Sequence, residues 1–120
     1  MTQYARRYMS IAETDSIDIV AARPDSDVVQ LVIADHLAWD DIDAHTRQLQ
    51  AKINTYIAFV ESGQLSRLKE PAIPPSPIIR IVIAAQHTPP TAASDFLDRA
   101  RAFLAGINIG LEVNAKYSGE

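Results

Sequence analysis

The seven residues Ile78-Ile79-Arg80-Ile81-Val82-Ile83-Ala84 constrain this chain more than any others. They are apolar at nearly every position and dominated by β-branched side chains, so both alternating faces of the segment need cover. That is the signature of a central strand buried on both sides. A central strand requires neighbouring strands and something packed over them, which the rest of the chain must supply.

Two strands precede it. Ser16-Ile17-Asp18-Ile19-Val20-Ala21 alternates, and Val28-Val29-Gln30-Leu31-Val32-Ile33-Ala34 is a second β-rich run. Between them Arg23-Pro24-Asp25-Ser26 supplies a turn, with Pro24 fixing φ and Asp25 and Ser26 able to bond the local backbone. The short link predicts an antiparallel hairpin. After Asp35 the period changes. Ile42, Leu49, Ile53, Tyr56, Ile57 and Val60 fall on one helical stripe, with Arg47, Lys52 and Asn54 off it. Asp40 or Asp41 caps the start and Gly63 the end, giving about 22 residues and roughly 33 Å of helix. Leu65 to Pro77 is a connector in which Pro71, Pro74, Pro75 and Pro77 favour an extended path. Phe96, Leu97, Ala100, Phe103, Leu104 and Ile107 mark a second helix closed by Gly106. Ile109, Leu111, Val113 and Ala115 then alternate as a half-buried edge strand.

The order β-β-α-β-α-β, with one apolar stripe per helix, predicts an α+β two-layer sandwich: a four-stranded mixed sheet with both helices on one face. Strand–helix–strand links make the later strands parallel, through right-handed crossovers. The expected division is an N-terminal arm over 1–14, one αβ domain over 15–117 and a tail over 118–120, with Met9 an alternative natural start. The uncovered face is expected to carry Val20, Val28, Val32, Ile78 and Val82 beside Asp18, Gln30, Arg80 and Glu112. That surface is too apolar to stay wet, so either the arm (Tyr4, Tyr8, Met9, Ile11) or a second copy in a homodimer should cover it.

At 120 residues the chain is the size of one domain, and it has no Cys. Disulfides, thiolate zinc sites and cysteine nucleophiles are excluded, and a reducing cytoplasm is the expected setting. No segment reads as a secretory signal or reaches the roughly 20 apolar residues of a membrane helix. The net charge is −4, but nine acids against one base, Arg23, lie between Glu13 and Asp43. An acidic front half repels phosphate backbones, which argues against nucleic acid and for a basic protein or a cation.

Polar chemistry concentrates in Asp35-His36-Leu37-Ala38-Trp39-Asp40-Asp41-Ile42-Asp43, which joins a strand's carboxyl end to a helix start, the usual place for a ligand in parallel sheets. Asp35, His36, Trp39, Asp40, Asp41 and Asp43 are the candidate binding residues. Each also has a structural reading: Asp35 as a turn acceptor, Trp39 as a plug for the core, the later acids as helix caps. His45, on the helix one turn before Leu49, is expected to border the core. His87 follows the central strand, so in adjacent parallel strands it would share an end with His36. Asp35, His36 and His87 are therefore the alternative, a hydrolase or metal-dependent site, although no nucleophile is nominated. No phosphate loop, G-x-S-x-G or H-E-x-x-H occurs, and no cofactor or metal is implied.

The run Asp35-His36-Leu37-Ala38-Trp39, followed by Gln48-Leu49-Gln50-Ala51-Lys52-Ile53-Asn54-Thr55-Tyr56 and by Glu61-Ser62-Gly63, resembles a family of small bacterial proteins without an assigned activity. Its mark is an Asp-His-Leu-x-Trp turn before a long helix, and the likeness extends from about Ile17 to Val113. The resemblance implies a bacterial origin and this element order, and carries over no catalytic residue. The expectation is a non-enzymatic, cytoplasmic, protein-binding domain, of immunity or regulatory type, using its acidic surface on a basic partner.

Overall fold

In the computed structural model, residues 14 and 16–115 are described, together with the backbone of 3–5. The apolar run becomes β4 (Ile78–Ala85), flanked by β3 (Val28–Asp35) and β5 (Ile109–Asn114). β3 pairs antiparallel with β2 (Ile19–Ala22), while β3, β4 and β5 are mutually parallel. The four expected strands thus form the mixed sheet. The short β1 (Gln3–Ala5) extends it beyond β2, so the spatial order follows the chain order. The rest of the arm proposed to cover the sheet (Tyr8, Met9, Ile11), the side chain of Tyr4 and the tail 118–120 lie outside the described residues.

Alternation decides what faces the helices. Val29, Leu31 and Ile33 of β3, Ile81, Ile83 and Ala85 of β4, and Ile109 and Leu111 of β5 belong to one core cluster. The same cluster takes Leu49, Ile53, Tyr56 and Phe59 of α1 (Ile42–Glu61) and Leu97 and Leu104 of α2 (Ser94–Ala105). Both helices therefore cover the same face. Each fully buried Leu or Ile contributes on the order of 1.5–3 kcal/mol, which is why the period-2 and period-3.6 patterns converge on one layer.

Several expectations need correcting. Val20 pairs with Leu31, so it points toward the helices and is fully buried, and Asp18, two residues earlier, is buried on that side too. Neither belongs to the open face. Lys52 is not off the apolar stripe of α1 but completely buried within it. β4 is buried on both faces only in its second half, since Ile78 is 53% exposed. The connector is not simply extended, because Leu65–Arg67 form a 3-10 turn that buries Leu65.

The helix ends follow from their residues. Asp41 caps α1 by accepting the Ala44 amide at 3.0 Å. Gly63, at φ +86°, takes the left-handed position after it, which a side chain rarely adopts. After α2, Gly106 stays right-handed, and it is Asn108 (φ 64°) that makes the left-handed turn into β5. Asn tolerates this region better than most residues with a side chain.

Candidate functional site

Because β3 and β4 are adjacent and parallel, with Asp35 in register with Ala85, the loops after them leave from one end of the sheet. His36 and His87 therefore do share that end. What assembles there is a different set. Asp35 ends β3 on its buried side, and its carboxylate meets His45 Nε2 at 2.7 and 2.9 Å. The same carboxylate accepts the Leu37 amide at 3.1 Å, folding the turn back on itself. His45 Nδ1 lies 3.2 Å from the Ala38 carbonyl. Trp39 stacks on the His45 ring, with centroids 3.6 Å apart and planes 17° from parallel. Its indole Nε1 donates to the His87 carbonyl at 3.2 Å. The β3 loop is thereby tied to the first turns of α1 and to the β4 loop.

Chemically this is a latch. Nε2 faces carboxylate oxygens and Nδ1 a carbonyl, all acceptors, so both contacts are made when both ring nitrogens carry a proton. Asp35 and His45 are 2% exposed, and the indole lies over an imidazole that bears charge in that form, an arrangement aromatic faces favour. Both ring nitrogens are turned to protein acceptors on a buried ring, so neither is presented to a substrate. His36 and His87, the other two imidazoles, are exposed. The carboxylate that a hydrolytic or metal site would have shared with them is turned inward to His45.

The remaining candidate residues divide cleanly. Asp41 spends its carboxylate on the helix cap, while Asp40 and Asp43 are exposed. Asp95 and Asp98, early in α2, are paired with Arg99 and Arg101 and add no net charge here. From His36 to Thr46 and from Gln86 to Asp98 there is no Lys or Arg. The elbow between β3 and α1 is therefore acidic and carries no Lys or Arg.

A second buried polar group supports the latch from further along α1. Lys52 Nζ meets Asp18 Oδ1 at 2.7 Å, a Coulombic contact without hydrogen-bond alignment, and donates to the Ser16 carbonyl at 2.8 Å. Asp18 Oδ2 accepts the Ala34 amide, the residue before Asp35, at 2.8 Å. Tyr56 donates its hydroxyl proton to the Val32 carbonyl at 2.6 Å and accepts the Asp18 amide at 2.9 Å. His45 and Lys52, seven residues apart, with Phe59 after another seven, share one buried side of α1. That heptad spacing is the signal in the sequence that would have found both.

Burial, with the neighbouring Asp18 charge adding to it, pushes the Tyr56 hydroxyl far above its ordinary pKa of 10.0. Above about pH 10 the unfolded chain releases this proton while the folded chain keeps it. Stability is thus present below that pH and lost above it, by up to about 1.4 kcal/mol per pH unit. Urea unfolding of wild type and Tyr56→Phe across this range is expected to show a shallower alkaline decline in the variant. The variant should also be weaker at neutral pH by about 1–3 kcal/mol, because two backbone groups lose their partner. Equal alkaline slopes would show that the fold does not hold the Tyr56 hydroxyl in its protonated form.

Among the described residues no helix is long and apolar enough to cross a membrane, and no group of three or more His, Asp or Glu side chains is placed to hold a metal ion. Compared with known protein families, residues 9–117 match the model of a family of unknown function. No curated protein matches the chain, and no solved structure does.

Proposed function

Since the chain belongs to a family of unknown function (DUF6572), we propose from the site itself that this is a non-enzymatic binding domain whose acidic elbow docks a basic protein. The observation that carries the reading is the latch. It consumes the carboxylate and the imidazole that acid–base chemistry would need, and it holds Asp40 and Asp43 outward on loops without a Lys or Arg. Such a surface speeds encounter with a basic partner and sets its orientation. An immunity-type or regulatory role in a bacterial cytoplasm suits a small acidic domain of this kind. The alternative, hydrolytic or metal-dependent chemistry at Asp35, His36 and His87, has their shared strand end in its favour, but Asp35 is not free to serve it.

The test is affinity capture from the native host with wild type and with the charge-reversed variant Asp40→Lys, Asp43→Lys, which spares the helix cap at Asp41. Wild type is expected to retain a basic protein at low salt and release it at high salt, and the variant to retain none of it. The same proteins on both columns at both salt concentrations would refute the reading.

A further inference from the structure

The outward side of the helical layer is not closed. Between α1 and α2 runs a groove of about 330 Å³. Its floor is the buried pair Ile53 and Leu104, and Phe96 and Ala100 form one wall. On the lip stands Phe103, 63% exposed, the most exposed large apolar side chain among the described residues. A phenyl ring left in water forgoes roughly 1.5–3 kcal/mol of burial, and α2 could have carried a polar residue there at no cost to its inner stripe. A knob and a hole on one face are self-complementary under a twofold axis, the commonest symmetry of soluble oligomers.

Charge selects the occupant. The chain carries a net −4, so two copies repel over most approaches. Around this groove the formal charges cancel locally. Arg99 pairs with Asp95 at 3.1 Å, and Arg101 with Asp98 at 3.1 Å. The α1 wall is an uncharged amide pair, Gln50 donating to Asn54 at 3.1 Å. A basic partner finds no excess of negative charge here, whereas a second copy of an acidic chain meets a surface that does not repel it. We infer that the protein forms a homodimer through this face, with Phe103 of each protomer seated in the other's groove. The contact uses none of Asp40, Asp41 and Asp43, so it is independent of the docking reading above.

Sedimentation velocity over a range of protein concentrations tests it, with circular dichroism and urea unfolding read on the same samples. Wild type is expected to dimerise with little dependence on salt. Phe103→Glu should weaken the dimer by about thirtyfold or more, the scale of losing a central aromatic anchor. Ala100→Glu, which fills the groove instead of removing the knob, should act in the same direction and decides the matter if Phe103→Glu fails to fold. Ile78→Ser, on the opposite face of the sheet, should leave the dimer intact. A monomer at every concentration, a dimer indifferent to both groove variants, or a dimer dispersed by Ile78→Ser would overturn the inference. The failure of this contact and the failure of the acidic elbow are told apart, because the first is read in the purified chain alone.

Discussion

Replacing Asp18 with alanine is expected to lower the unfolding free energy by about 3–5 kcal/mol, the cost of breaking a buried ion pair from one side. The ammonium of Lys52 is wholly enclosed. The substitution takes away the carboxylate 2.7 Å from it and leaves the Ser16 carbonyl in place. The Ala34 amide loses its acceptor in the same step. Lys52→Met should do comparable harm from the other side, by stranding the carboxylate. In the double variant Asp18→Ala, Lys52→Met both charges of the pair are gone, so its loss should fall short of the sum of the single losses by about 0.5–3 kcal/mol. Urea denaturation of the four proteins measures all of this. Single variants within about 0.5 kcal/mol of wild type, the range of ordinary surface substitutions, would mean that the pair is not closed off from water.

The second large effect is expected at the latch. Asp35→Ala removes the acceptor of His45 and of the Leu37 amide together. The destabilisation should again be about 3–5 kcal/mol, with a local consequence that Asp18→Ala lacks. Trp39 is the sole tryptophan, and its ring is held by the stack on His45 and by the His87 carbonyl. Once His45 loses its anchor the indole should loosen, its emission should shift to the red, and backbone amides between His36 and Asp41 should exchange faster. His36→Ala and His87→Ala should change stability by less than about 0.5 kcal/mol, since neither side chain takes part and the His87 carbonyl remains. An Asp35→Ala protein with unshifted emission and unaltered exchange in the elbow would show that the turn stands without the latch.

The fold was legible because burial writes itself into periodicity. The double-sided run at Ile78–Ala84, the alternation of Val28–Ala34 and the stripe from Leu49 to Val60 each point to one layer, and the order of elements leaves few ways to stack them. The parallel pairing of β3 and β4 was also within reach, and with it the shared end for His36 and His87. Side-chain pairing was not. His45 and Lys52 interrupt an apolar stripe, and polarity alone assigns them to its margin. They sit inside it because each has an acidic partner 10 and 34 residues earlier in the chain, Asp35 at the end of β3 and Asp18 just before β2, and such a partner is invisible to a local pattern. The open face was misread at Val20 and Asp18 for a related reason. The parity of β2 depends on its register with β3, and a hairpin one residue out of register exchanges the two faces. Of the candidate residues, Asp41 proved a cap and Asp35 and Trp39 parts of the latch, which leaves His36, Asp40 and Asp43 as the groups that face solvent from the elbow.

Everything functional in this reading depends on His45 having no nitrogen to spare. Nitrogen-15 NMR of the imidazole in the folded protein observes this without perturbing it. The geometry predicts that Nδ1 and Nε2 both carry protons, coupled to the Ala38 carbonyl and the Asp35 carboxylate. A ring nitrogen with a free lone pair would contradict it and would restore a base at the carboxyl end of the sheet.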